Sequence, residues 1–303
     1  MDVTQAMPKT PDILCIGSVL WDVIGRSAST MRVGSDVPGR ITRLPGGVAM
    51  NIAMTLRRFA MTPALLTAIG RDEEGVELLA QCQRMGMLTD YVYVSDDLPT
   101  DRYMAVEGAN GLIAAIADAH SLEAAGDKIL RALSDGTLGS AQTPYPGLIA
   151  LDGNLTADLL GTIANSPLFA AADLRVAPAS PGKAERLRPL LNAPNATIYV
   201  NLEEAGLLCQ QQFDESATAA AALQARGAAR VLVTHGGAPA AEAGPAGQFT
   251  APPPAVMVTR VTGAGDTFMA AHIAAESRGE THQDALAAAL QAAAVYISGD
   301  IAT

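Results

Sequence analysis

"RVTGAGDTF", residues 260–268, is the stretch on which the reading of the chain turns. It sets Gly263-Ala264-Gly265 directly ahead of an acid, Asp266, and the pattern over 264–278 predicts a helix that starts there. Consecutive backbone N–H groups at a helix N-terminus make an anion site, which the helix dipole strengthens. Glycine lets that backbone come close to a ligand. A carboxylate beside the bound anion is placed to accept a proton from a hydroxyl attacking a phosphoryl group, while the N–H groups take up the developing charge. The spacing alone suits equally well an acid that complements the dipole of a purely structural helix. The rest of the chain has to decide.

A second glycine-rich stretch, "LPGGVAMNIAMTLRRFA" (44–60), opens another helix after Gly46-Gly47. Val48, Ile52, Leu56 and Phe59 form its apolar stripe, and Asn51 interrupts that face one turn in. An amide there can donate to and accept from sugar hydroxyls; it can also bond to neighbouring backbone. No G-x-x-x-x-G-K-[ST] occurs, which excludes a P-loop. The first strand is followed by "GSVLWD" rather than G-x-G-x-x-G, which argues against a dinucleotide-binding oxidoreductase.

Outward from these stretches, short apolar runs alternate with helical patterns. Strands are expected at 12–17, 64–70, 148–152, 172–178, 197–201 and 230–236. Helices are expected at 48–60, 73–86, 157–165, 182–192, 203–211, 215–227, 264–278 and 283–298. Such alternation predicts an α/β fold with a mostly parallel sheet covered on both faces. One segment breaks it: "DRYMAVEGANGLIAAIAD" (101–118) reads as a hairpin turning at Asn110-Gly111. The polar, non-helical segment 18–44 is a source of further strands for the same small sheet. "APPPAV" (251–256) reads as an extended connector.

The chain has 303 residues, of which 49% are hydrophobic, and a formal net charge of −11. A large core is therefore possible without disulfides, and a general affinity for nucleic acid is not expected. Cys15, Cys82 and Cys209 are odd in number and lie far apart, so buried reduced thiols are expected rather than a disulfide framework or a zinc site. "MDVTQAMPKTPD" has no apolar core of a signal peptide. The Ala-rich run at 285–297 is too short for a span of about 20 residues. A cytoplasmic protein without membrane or nucleic-acid partners is the expectation.

Together these stretches resemble the ribokinase-like (PfkB) carbohydrate kinases. Gly46-Gly47 with Asn51 is similar to that family's N-terminal signature and "VTGAGDTF" to its C-terminal one. The strand order, inserted hairpin and length agree over essentially the whole chain. The resemblance implies a ribokinase-like three-layer sandwich with a mostly parallel central sheet and a small β-sheet lid. It implies one kinase domain, 1–303, with lid segments inserted at about 18–44 and 98–118. Carried over by position, Asp266 is the catalytic base, and Gly263, Ala264 and Gly265 form the anion hole around the transferred phosphate. Asp22, Gly46, Gly47 and Asn51 line the sugar site. Asn201 and Glu204, in "NLEE", match an N-x-x-E element that organises Mg²⁺ and phosphates, with Glu204 reaching the metal through water. Thr234 and Gly236 match the nucleotide-side turn, with His235 a bystander. ATP and Mg²⁺ are the implied cofactors. Such transfer rests on positioning and charge stabilisation, not on covalent catalysis.

Within the family, several stretches look most like the pseudouridine kinases: "GGVAMNIAMTLRRF", "TAIGRDEEG", "AAIADAH" with Asp118, "ALDGNLT" and "VAPASPGKAERL". In the last of these Ser180 reads as an N-cap with Pro181 at the first helical position. Lys183 then falls in the first turn against the dipole, either as a nucleotide contact or as an ordinary surface lysine. Thr100, Asp101, Tyr103 and Asp118 are candidates for the base end of a nucleoside. Arg260 stands where many sugar kinases carry an acid, which speaks against a monovalent-cation site, and Ala177 stands where relatives often carry another. The resemblance thus implies phosphorylation of pseudouridine to its 5′-phosphate. A kinase for ribose, fructose, 2-keto-3-deoxygluconate or another nucleoside is the nearest alternative. A non-catalytic sugar or nucleotide sensor, which need not keep Asp266, Gly265 and Glu204, is a further one. Lid sheets in this family often pair between subunits, which implies a homodimer.

Overall fold

The structure, a computed structural model, describes residues 10–299. Residues 1–9, which open the stretch read for a signal peptide, and the last four residues of the expected 1–303 domain lie outside it. In chain order the strands are β1 (Ile13–Ile16), β2 (Leu20–Arg26), β3 (Arg40–Gly46), β4 (Pro63–Leu66), β5 (Ala68–Gly70), β6 (Tyr93–Ser95), β7 (Arg102–Gly108) and β8 (Gly111–Asp118). They continue with β9 (Leu148–Asp152), β10 (Asp173–Ala177), β11 (Ala196–Asn201), β12 (Arg230–His235), β13 (Ala238–Gly244) and β14 (Gly247–Ala251). The α-helices are α1 (Val48–Arg58), α2 (Glu73–Arg84), α3 (His120–Ala125), α4 (Arg131–Ser134), α5 (Ala157–Asn165), α6 (Leu202–Cys209), α7 (Ser216–Ala225), α8 (Ala264–Ser277) and α9 (His282–Ser298).

The main sheet runs β14-β13-β12-β11-β10-β9-β1-β4, parallel from β12 to β4 and closed at one edge by the antiparallel β13–β14 hairpin. Successive side chains of a strand point to opposite faces, and this divides the core in two. Leu14 and Ile16 of β1 join Leu66, Ile149, Leu151 and Ile198 under α5, α6 and α7. Ile13 and Cys15 join Leu65, Tyr199 and Leu232 under α1, α8 and α9. The result is the expected ribokinase-like three-layer sandwich. The second, four-stranded sheet has the order β3-β2-β7-β8 and contains the predicted hairpin at Asn110-Gly111. All three cysteines are buried thiols. No described helix is long and apolar enough to cross a membrane.

Helix α8 is anchored through its last turn. Glu276 there receives Arg175 from β10 and Arg230 from β12, the latter at 2.5 Å. Burial pushes Glu276 up, but the Arg230 hydrogen bond and the Arg175 charge outweigh it and hold the carboxyl near 2. The helix is thus pinned to the sheet at its far end, which fixes its N-terminus at the sheet's carboxyl edge.

Four local expectations need correction. The strand expected at 64–70 is two strands: β4 stays in the main sheet, Thr67 breaks the run, and β5 pairs with β6 apart from it. Residues 181–190 wind as a 3₁₀ helix rather than an α-helix, because Pro189 removes an N–H and crowds the preceding turn. Ser180 stands at its N-cap but its side chain makes no capping bond. The β13–β14 hairpin was not anticipated, since "APAAEAG" carries little β-propensity.

Candidate active site

In open α/β sheets ligands bind beyond the carboxyl ends of the strands. Here a cleft of about 1560 Å³ lies there, between the ends of β1 and β9–β12 and the small sheet. A single small-molecule pocket occupies roughly 300–1,000 Å³, so there is room for two ligands side by side. Its walls include Asp22, Gly47, Asn51 and Tyr103 on one side and Asn201, Glu204, Thr234 and Gly236 on the other, with Lys183, Gly263, Ala264, Gly265 and Asp266 also lining it.

Gly263 ends the approach to α8 in a left-handed conformation, φ 86°, and a Cβ there would stand 2.5 Å from the Tyr296 hydroxyl. The local geometry therefore demands glycine. Gly265 is different: an added Cβ would meet no protein atom within 4 Å. No side chain caps the N-terminus of α8, whereas Asp72, Thr156, Asn201 and Thr281 cap α2, α5, α6 and α9. The first turn of α8 is thus left open to the cleft.

Asp266, in that turn, accepts a hydrogen bond from the Asn51 amide at 2.9 Å. Burial pushes Asp266 up to about 7 against this bond, and the charges of Asp152, Glu204 and Asp22 add to the rise. Asn51 is brought there by α1, which packs against α8. Asp22 is raised to about 6 by burial. Gly46 does not line the cleft itself; a Cβ on it would fall 2.0 Å from the Asp22 carboxylate, so this glycine makes room for the acid. Gly47, φ 95°, likewise clears the backbone of Ser18.

Asn201 and Glu204 form a capping box on α6: the Asn201 side chain accepts from Glu204 N at 2.9 Å, and Glu204 Oε2 accepts from Asn201 N at 2.8 Å. Burial pushes Glu204 up to about 7 against that bond, with Glu203 adding to it. Asn201 and Thr234 are register partners at the ends of β11 and β12. Among the described residues no cluster of three or more His, Cys, Asp or Glu is arranged to hold a metal. Mg²⁺ keeps much of its water and binds through one or two carboxylates together with phosphates, so Glu204 without a ligand cluster fits it.

Three of the expected base-end residues are not brought into the cleft. Thr100 is buried and spends its hydroxyl and N–H on Asp72, at 2.6 and 2.8 Å. Asp101 accepts the N–H groups of Ser121 and Leu122, both at 3.0 Å, and so caps α3. Asp118 pairs with Arg102 in register, one residue out of phase with Tyr103 and Ala117, so alternation turns it to the opposite face of the small sheet. There it contacts His120 at 3.0 Å. Arg260 donates to the Tyr296 carbonyl at 2.8 Å and stacks over that ring, 3.9 Å from its centre.

The sequence reading missed a buried cluster at the floor of the cleft. Asp152 accepts from Ser18 N at 2.8 Å, from Ser18 Oγ at 2.5 Å and from Asn154 N at 2.7 Å. Gly17 permits this, since its Cβ would fall 2.2 Å from that of Asp152. The available signal was the "LDGN" run at the end of a strand; its partner Ser18 lies 134 residues away.

Residues 10–300 match the pfkB family of carbohydrate kinases. The pseudouridine kinase of Escherichia coli (strain K12) is 29% identical over 275 residues, 85% of this chain and 81% of that protein. A carbohydrate kinase from Agrobacterium tumefaciens superimposes with a TM-score of 0.80 at 24% identity, covering 97% of this chain and 93% of its own. A ribokinase of Arabidopsis thaliana, solved with ribose and ATP, gives 0.77 at 20% identity over 95% and 93% of the two chains.

Proposed function

This chain belongs to the pfkB family of carbohydrate kinases and is a sugar or nucleoside kinase, and from that premise we propose that it moves the γ-phosphate of ATP to the 5′-hydroxyl of pseudouridine. The observation that carries the transfer is the Asn51–Asp266 pair beside the open first turn of α8. The Asn51 amide holds one carboxylate oxygen of Asp266, leaving the other for the acceptor hydroxyl. As that hydroxyl attacks, Asp266 takes its proton, and the N–H groups of the Gly263–Gly265 turn receive the phosphoryl oxygens. Asp22, Gly47 and Tyr103 border the acceptor end, and Asn201, Thr234 and Gly236 the nucleotide end. Glu204 would hold Mg²⁺ through water, and the metal would supply charge neutralisation on the phosphates. The choice of pseudouridine rests on the 29% identical relative. Residues 1–303 act as one domain, and the small sheet closes over the acceptor to exclude water.

The test is ATP consumption with Mg²⁺ over pseudouridine, uridine, adenosine, ribose, fructose and 2-keto-3-deoxygluconate, with Asp266→Asn alongside. The expected result is preference for pseudouridine, lowered at least about tenfold in the variant. Preference for a free sugar would keep the chemistry and overturn the acceptor. An Asp266→Asn enzyme as fast as the wild type would remove the base.

A further inference from the structure

The cleft is lined by Asp22, Glu185, Glu203, Glu204, Asp214 and Asp266, and among the described residues its only lysine or arginine is Lys183. A polyphosphate entering an acidic cleft needs a cation to meet it. Lys183 is also uncommitted. Its ammonium donates to the Asn154 side-chain oxygen at 2.6 Å, and among the described residues it forms no ion pair. A neutral amide holds the lysine without cancelling its charge.

The orientation of that amide is forced. Asn154 Nδ2 donates to Ser18 Oγ at 3.0 Å and to Asp152 Oδ2 at 3.2 Å. Ser18 gives its own hydroxyl proton to Asp152, so its lone pairs are free to accept, and they also take the Val48 N–H at 2.9 Å. With both acceptors on the nitrogen side, the amide oxygen has to face Lys183. Asp152 is buried, is satisfied by four donors and forms no ion pair with the lysine, which it reaches by hydrogen bonds through Asn154.

Place in the sheet says which phosphate the lysine meets. The strand order is β12-β11-β10-β9-β1. Thr234, at the end of β12, and Gly236, just after it, lie on the nucleotide side, and Ser18 and Asp22 follow β1 on the acceptor side. Lys183 comes from the 3₁₀ helix that follows β10, the strand midway between them. A group passing from one side to the other crosses in front of it.

We propose that Lys183 is the cation that holds the transferring γ-phosphate, and that Asp152, through Asn154, is the positioning residue that keeps this cation aimed and uncompensated. The inference rests on the kinase reading above and deepens it. Its test reads binding as well as turnover. Calorimetry with Mg²⁺ would compare ADP with a non-hydrolysable ATP analogue on wild type, Lys183→Met, Lys183→Arg and Asn154→Asp, each checked by its melting curve. Lys183→Met is expected to bind ADP within about threefold of wild type, to lose at least about tenfold on the analogue, and to lose about 10²–10³-fold in kcat. Lys183→Arg should recover part of both losses. Asn154→Asp, which sets a carboxylate against the ammonium, should cut kcat about tenfold with little change in KM for ATP. Equal losses on ADP and the analogue, or none on either, would overturn the assignment. A wild type that turns over no acceptor would sink the kinase reading, yet the ADP and analogue comparison would still decide the role of Lys183.

Discussion

Asp266 is an acid whose surroundings make its proton hard to lose. With its carboxyl raised to about 7 by burial and by neighbouring acids, Asp266 is about half ionised at neutral pH in the free protein, and it is the base in the function proposed above. The value of kcat/KM should rise about tenfold per pH unit below 7 and level off above it. The same shift has a stability consequence. The folded value is above the ordinary value of 3.8, so the folded state binds this proton more tightly than the unfolded chain does. The resulting stability is fully present below about pH 4 and is lost as pH rises through about 7. Asp22 and Glu204, raised to about 6 and 7, act in the same direction. Asp266→Asn, which cannot ionise, should therefore melt above the ligand-free wild type at pH 8 and gain less at pH 5. An equal shift at both pH values would mean that the raised carboxyl has no share in stability. The placing of Asp266 in the first turn of a helix, of Asn51 one turn into another and of the two glycine turns before them was legible because turn and helix-start chemistry is local, whereas spacing left their roles open and only the family resemblance supplied them. Asp118 was not, because which face of a hairpin it occupies depends on a bulge between Val106 and Glu107 and on what packs behind. Ser18 with Asp152 was not, because their contact exists only once β1 and β9 lie side by side.

At the scale of the element, the first turn of α8 separates a glycine the protein's own geometry requires from one it does not. Gly263 is required by its positive φ and by Tyr296. Gly265 is required by nothing in the protein, and glycine in a helix costs roughly 0.5–1 kcal/mol relative to alanine. Gly265→Ala should leave the urea midpoint unchanged or raise stability by up to about 1 kcal/mol, while turnover falls at least about tenfold as a methyl enters the phosphate site. Unchanged turnover would mean that the backbone there approaches no ligand. Elements were legible where a pattern ran long enough, as in α1, α2 and α9. The reading failed where composition opposed the outcome: alanine-rich β13 is a strand because the edge of β12 pairs with it, and Pro189 tightens a charged segment with buried Ala184, Leu187 and Leu190 into a 3₁₀ helix.

On the scale of the whole molecule, the small sheet has two unlike faces. Asp22, Tyr103 and Ala117 sit on the face toward the cleft. Next to them in register, Met104 pairs with Ile116, and both point the other way together with Ile41. These three are 45%, 61% and 79% exposed, although large apolar side chains grouped on one face of a sheet usually mark a contact surface. α2 covers only the near end of that face, through Trp21 to the Glu74 carbonyl and Arg102 to Glu74. We propose a second copy of the chain as its occupant, since an isologous two-fold contact sets the same apolar strip against itself. The net charge of −11 would repel two copies elsewhere but is absent from this strip. On that reading the wild type should elute as a dimer by light scattering, and a protein carrying Met104→Glu and Ile116→Lys as a monomer. Its melting temperature should fall as dimer stabilisation is lost, in a concentration-dependent way that the wild type shows and the variant does not. KM for the acceptor should rise more than KM for ATP, because the apolar strip lies directly behind Asp22, Tyr103 and Ala117, which line the cleft. A monomeric wild type at micromolar concentration would leave the apolar strip without this partner and reduce the lid to a device of one chain.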